Sequence, residues 1–359
     1  MTSTAPRTRW MDRARAFAIL AVVLCHAVEM VHPFAQQAFD ASDWLQWTIR
    51  FGLFTVGRLG VPLFLGLTGA LLLERDYSGE AQIRDFYRRK FWRLFVCVEC
   101  WMVLYSIFLM WHHELPLDWR RLVGALTATG ELQLGHLWYI PMILGMYLAI
   151  PFVARAVRGL SLRVLVPVCC VVFAFAVAVP SLNLALEVWG FARREALLDL
   201  HFLGGVYGLY IVGGWMIARK HALNAWPRWI AALCFVVCYG ATVAFQLWRY
   251  HAGLGYKVWY DFAGLMLAGF FLLELFRRSE WKKAWLDKLC LYLSRRSFAI
   301  FLLHFPLQRV CWQYGWQLWL GDALLVQTAV MFALPLAASL ALIALLERIP
   351  VVRRWLLYM

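Results

Sequence analysis

A chain of 359 residues that is 63% hydrophobic and only 16% charged cannot keep an ordinary soluble surface in water, because soluble domains carry roughly 25% charged residues. Its formal charge of +14 would suit nucleic acid, but the basic residues lie in short stretches between apolar runs, where membrane topology signals belong. Lipid, rather than water or nucleic acid, is the partner that this composition requires.

Apolar runs near the length of about 20 residues that spans a hydrocarbon core as helix predict ten transmembrane helices. In chain order they are 10–32, 45–73, 91–111, 136–154, 163–181, 202–219, 227–248, 258–276, 290–311 and 323–346. Only the connections 74–90, 112–135 and 182–201 have any size, and no internal repeat is visible. The expected fold is therefore all-α, a polytopic membrane helix bundle forming a single transmembrane domain over 1–359, with no separate soluble domain. The first span starts among Arg7, Arg9, Arg13 and Arg15, yet no small-residue cleavage site follows Val31, so it reads as a retained helix and not a signal peptide.

Charge gives an independent test of the count. With the N-terminus inside, 26 of the 35 basic residues fall in cytoplasmic segments and 7 outside, Arg50 and Arg58 lying within the second span. Positive residues resist translocation, and an error in the count would scramble the alternation beyond it. Both termini are thus expected in the cytoplasm. Trp10, Trp44, Trp47, Trp92, Trp111 and Trp138 fall near span ends, where an indole sits well between headgroup and tail. The nine cysteines lie in or at the edges of apolar spans and read as small packing hydrophobes; Cys97 and Cys100 make a C-x-x-C with no zinc-spaced partners.

Ionisable groups inside a span are costly and therefore paired or useful. The first helix holds Arg15, His26 and Glu29. Eleven residues at 100° each bring Arg15 and His26 to within about 20° of one face, about 16 Å apart along the axis. Glu29, three residues on, is close enough to hold an imidazole N–H and fix its tautomer. A histidine that merely packs between helices is the plain alternative for His26, and equally for His304 in the ninth span. In the second span Arg58 precedes Gly60-Val61-Pro62, a pattern that weakens regular helix bonding. Arg58 then either lines a cavity or pairs with a neighbour such as Glu99. The run Arg88-Arg89-Lys90-Phe91-Trp92-Arg93 reads as a topology and headgroup signal or as a clamp for a phosphate-bearing donor.

Together these residues resemble the acyltransferase 3 family of integral membrane acyltransferases. Arg15, ten residues, then His26 is similar to its opening motif. Gly60 to Leu73 resembles its second-helix segment, with Leu65 and Thr68 in place of an aromatic and a serine. Arg89 to Leu94 resembles its cytoplasmic basic run, with Val96 where proline is common. His136-Leu137-Trp138-Tyr139-Ile140-Pro141 and the stretch from Ser297 to His304 are similar to two later signatures. The five matches run in order over nearly the whole chain.

The resemblance implies transfer of an acyl group, most often acetyl, from cytosolic acyl-CoA to a hydroxyl of a cell-surface carbohydrate or lipid-linked sugar, at the plasma (bacterial inner) membrane. Carried over by residue, His26 is the catalytic histidine, Arg15 its motif arginine, and Lys90 and Arg93 the basic pair linked to the donor. The expected donor is acetyl-CoA or another acyl-CoA, with no metal. A chain ending at Met359 without an extracytoplasmic hydrolase-like domain resembles the stand-alone type. Chemically, histidine titrates near pH 6.5 and suits activation of a hydroxyl, with Glu29 as its orienting partner. A buried arginine such as Arg58 suits an oxyanion or a donor phosphate. His136, Trp138 and His304 are the expected sugar contacts. A secondary transporter and a non-catalytic partner in polysaccharide export are the competing readings; against transport, Glu99, Asp261 and Glu274 form no evident relay.

Overall fold

The computed structural model describes residues 9–112, 116, 118–127, 129, 134–198, 200, 204–281, 283–315 and 323–359. The start of the predicted span 202–219 and much of the connection 112–135 lie outside the described residues. The helices in chain order are α1 (Arg9–Val31), α2 (Trp44–Arg58), α3 (Gly60–Leu72), α4 (Glu80–Phe86) and α5 (Trp92–Trp111). There follow α6 (Trp119–Leu126), α7 (Tyr139–Val157), α8 (Leu162–Phe173), α9 (Val179–Val188) and α10 (Gly205–Arg219). The last five are α11 (Arg228–His251), α12 (Ala263–Arg277), α13 (Ala284–Gln313), α14 (Leu324–Leu346) and α15 (Pro350–Trp355). No strand occurs among the described residues. The fold is an all-α polytopic membrane bundle, and seven helical segments among the described residues are long and apolar enough to cross a membrane.

The sequence places three further spans at α10, α12 and α13. α10 and α12 have 15 residues each, about 22 Å of helix against a hydrocarbon core of about 30 Å. For α12 the reason is specific. Residues 258–262, expected as its first turn, are irregular chain. The second predicted span is broken as expected: Pro62 has no N–H to offer the carbonyl of Arg58, and the helix interrupts at Leu59. The fifth runs on to Val188 through a wide turn at Ala174–Ala178, one turn before Pro180, whose missing N–H frees a carbonyl there.

The chain forms two compact units. One comprises Met1–Arg75 with Ala154–Ser294, the other Asp76–Val153 with Arg295–Met359. In the first, α1, α3, α10 and α12 pack around Met11, Ala14, Ala18, Leu63, Leu67, Ala70, Ile217, Ala218 and Leu273, with α2 against α1 and α11 against both α2 and α12. Lipid offers no hydrophobic force to join helices, so close backbone approach must do so. Gly57 supplies it between α2 and α1: a Cβ there would lie 2.6 Å from the Cα of Cys25. Gly214 does the same for α10 against α3, where a Cβ would meet the Cα of Gly66 at 2.2 Å. A second cluster gathers Trp47, Phe51, Val243 and Tyr250. Trp47 is thus a core residue carrying the Arg50 guanidinium 4.3 Å over its ring, not the interfacial anchor its position suggested; Trp44, Trp92 and Trp111 are exposed.

At one end of this unit Arg13 donates to Asp287 and to the Ser279 carbonyl, 2.8 and 2.7 Å, and Ser294 donates to Asp12. The Arg13 hydrogen bonds hold the Asp287 carboxyl below its ordinary pKa. In the second unit, Arg296 donates to both oxygens of Glu347, and Tyr105 donates to the Leu302 carbonyl. The segment 354–359 docks on α5: Arg93 donates to the carbonyls of Arg354 and Met359, while Trp101 and Cys97 donate to that of Leu356.

Candidate functional site

The helical register of α1 sets the site. His26 and Glu29, one turn apart, place the imidazole Nδ1 3.1 Å from Glu29 Oε2. A carboxylate only accepts hydrogen bonds, so Nδ1 carries the proton and, in the neutral ring, Nε2 is the nitrogen able to take one. This is the orientation that a base acting through Nε2 requires. Both side chains keep some access, 13% for His26 and 22% for Glu29. Arg15 lies half-buried on the same continuous helix.

The other Glu29 oxygen is held by two cations. Arg58 Nη2 and Lys257 Nζ each lie 3.1 Å from Oε1. Arg58 is delivered by the close α1–α2 packing: Gly57 seats against Cys25, and its neighbour Arg58 then faces the turn after Cys25 that ends in Glu29. The Arg58 guanidinium is buried among aromatic rings, 4.7 Å from Phe54, 4.6 Å from Trp259 and 5.5 Å from Tyr260. Its Nη1 donates to the Tyr260 hydroxyl at 3.2 Å, and its Nε is buried without an acceptor among the described residues. A buried arginine keeps its charge and its planar fork. With two cations on one carboxylate, the cluster carries net positive charge whenever His26 is neutral.

Lys257, Trp259 and Tyr260 belong to the irregular chain between α11 and α12, which is held from several sides. Buried Gln246 accepts from the Val258 N–H at 3.0 Å and donates to Thr55 at 2.9 Å. Tyr210 donates to the Tyr260 carbonyl, and Ser181 accepts from the Ala263 N–H. Sequence reasoning missed Trp259 and Tyr260 as site residues because 258–262 read as the apolar start of a helix, Gln246 because it lay inside the predicted span 227–248, and Lys257 because it counted only as a loop cation. The available signal was Lys257 itself, the one lysine or arginine in the sequence between Arg249 and Arg277.

The remaining expected site residues lie in the second unit. Lys90 and Arg93 flank the docked segment 354–359: the Lys90 carbonyl accepts from the Tyr358 hydroxyl, and the Arg93 guanidinium lies 4.8 Å over the Tyr358 ring. Arg88 and Arg89 beside them are exposed. His136 and His304 come together edge to face, ring centroids 5.6 Å apart, and both are buried. His136 stacks on Phe305 at 4.5 Å, and His304 Nδ1 donates to the Ile300 carbonyl at 3.0 Å. Trp138 is half-buried next to them in sequence, edge-on to Tyr139.

His26, Glu29, Arg58 and Lys257 thus form one hydrogen-bonded cluster of a histidine, a carboxylate and two cations. A family model, the acyltransferase domain of the acyltransferase 3 family, matches residues 8–348, and the chain belongs to that family. It is a membrane acyltransferase. No match was found among curated proteins or among solved structures.

Proposed function

We propose that the protein transfers an acyl group, acetyl in the first instance, from cytosolic acyl-CoA to a hydroxyl of a cell-surface carbohydrate or lipid-linked sugar, in the plasma (bacterial inner) membrane. The observation that carries this reading is the His26–Glu29 pair on α1, with Nδ1 on the carboxylate. His26 Nε2 takes the proton of the attacking hydroxyl as its oxygen bonds to the thioester carbonyl carbon. The carbonyl oxygen becomes an oxyanion, which the positive balance of Arg58 and Lys257 favours. Collapse expels the CoA thiolate, which takes up the proton held by His26. Glu29 stabilises the imidazolium between the two steps.

The donor phosphates meet the basic run at Lys90 and Arg93, with exposed Arg88 and Arg89 alongside. Arg93 already gives Nε and Nη2 to oxygens in the segment 354–359. Transport is less well supported: Glu274, the buried acid that a relay would use, is closed by both Arg277 and Arg278 at 2.5 to 2.7 Å.

The test is acyl transfer from radiolabelled acetyl-CoA in membrane vesicles, together with mass spectrometry of the host's surface glycans. His26→Ala is expected to insert at wild-type abundance and to lose transfer. Full activity in that variant removes His26 from the chemistry.

A further inference from the structure

The buried His136–His304 pair presents no polar edge at the surface of its unit, whereas the chain between α11 and α12 does, beside His26. We propose that this segment, Tyr256–Tyr260, is the acceptor subsite: the exposed face of Trp259 stacks on a pyranose ring, and Lys257 hydrogen-bonds a ring substituent next to the reacting hydroxyl. The proposal rests on the reading of His26 as the catalytic base and names the group that brings the acceptor to it.

Three independent observations support it. The first is depth. With 15 residues α12 falls about 8 Å short of a 30 Å hydrocarbon core, so the irregular residues before it occupy membrane depth. Non-helical backbone is tolerated there only where it is enclosed by protein or lines a polar cavity. The N–H groups of Val258, Trp259 and Ala263 and the carbonyl of Tyr260 meet protein partners in Gln246, Tyr256, Ser181 and Tyr210. The segment is therefore a fixed wall, not a loose connection.

The second is the chemistry of that wall. Trp259 is 37% exposed, less than Trp44, Trp229 and Trp285, which stand out from the protein. Its ring rests on the Arg58 guanidinium at 4.6 Å, which fixes it at the site instead of among headgroups. An aromatic face bordered by a few placed polar groups is how a binding site orients a ligand with both C–H and O–H surfaces. Lys257 is the most open member of the cluster at 43%, and its ammonium has three N–H donors, of which Glu29 takes one.

The third is the buried Arg58 Nε, which lacks an acceptor among the described residues. An unmet donor in so dry a place is unfavourable, and it marks a position where a ligand oxygen is wanted. The Glu29–Arg58–Lys257 cluster would thus hold the acceptor and stabilise the oxyanion formed when that acceptor attacks.

The experiment uses the full-length protein in vesicles, with acetyl-CoA as donor and a panel of methyl glycosides of hexoses and N-acetylhexosamines as acceptors. Trp259→Ala is expected to raise KM for the accepted glycoside about tenfold while KM for acetyl-CoA stays put, and Trp259→Phe to remain within about threefold of wild type. Should Trp259→Ala fail to insert, Trp259→Leu carries the same expectation. Wild-type glycoside KM in these variants, alongside a dead His26→Ala, overturns the subsite and leaves the catalytic reading standing. A fully active His26→Ala overturns both. A wild type that hydrolyses acetyl-CoA but acylates no glycoside overturns the carbohydrate class.

Discussion

Glu29 is the residue on which the site's electrostatics converge. It accepts from His26 on one oxygen and from Arg58 and Lys257 on the other. Glu29→Gln keeps the shape but offers a neutral amide that can turn its NH2 toward the ring, so the imidazolium formed during transfer loses its counter-charge. The expected outcome is a fall in kcat of about 10²-fold, within the range ascribed to general-base assistance, with KM for acyl-CoA little changed. Steady-state rates in vesicles measure it, and an unaltered kcat would reduce Glu29 to a packing partner of Arg58. The sequence showed the Glu29–His26 contact, because i and i+3 on a helix are neighbours whatever surrounds them. Arg58 was equally visible as an anomaly, but its partner was not. Pairing across helices depends on which faces meet, and the spacing within one helix does not contain that information.

At the scale of elements, the site depends on how closely α2 lies on α1. Gly57 allows the contact at Cys25, and the residue after it delivers the guanidinium. Gly57→Leu would drive α2 away from α1; overpacking of this kind costs about 1–3 kcal/mol. The expected result is a lower thermal midpoint in detergent and a loss of transfer out of proportion to it, because Arg58 no longer reaches Glu29. A variant destabilised to the same degree but fully active would show that the ion pair is dispensable. Element boundaries were legible where a single apolar run met water or a proline, as at α1, α14 and the α2–α3 break. They were misread at residues 258–262, where Val258, Trp259 and Tyr260 carry the composition of a helix start but are held by Gln246, Arg58 and Tyr210 on other elements. Tertiary partners overrode local pattern there, and that is where Trp259 and Tyr260 went unnoticed.

At the scale of the molecule, charge alternation puts the number of crossings at ten, whereas seven segments satisfy length and apolarity among the described residues. The contacts of the first unit bear on it directly. α1 touches Ser279 and Asp287 through Arg13 at one end and Lys257 through Glu29 at the other. From Arg13 to Glu29 is about 24 Å of helix, so the chain between Lys257 and Ser279, which is α12, traverses nearly the same thickness. α12 is therefore expected to cross although it is short, with residues 258–262 completing its passage. For α10 the charges give the same answer: Arg219, Lys220 and Arg228 follow it, while only Arg193 and Arg194 precede it. Alkaline phosphatase fused after Gly190 or Ala252 is expected to be active, and after Asn224 or Glu280 inactive, with a fluorescent-protein reporter giving the reverse. Like signals at 190 and 224 would make α10 re-entrant. Like signals at 252 and 280 would place Lys257 on the same side as Asp287, which the α1 contacts forbid for a helix that spans.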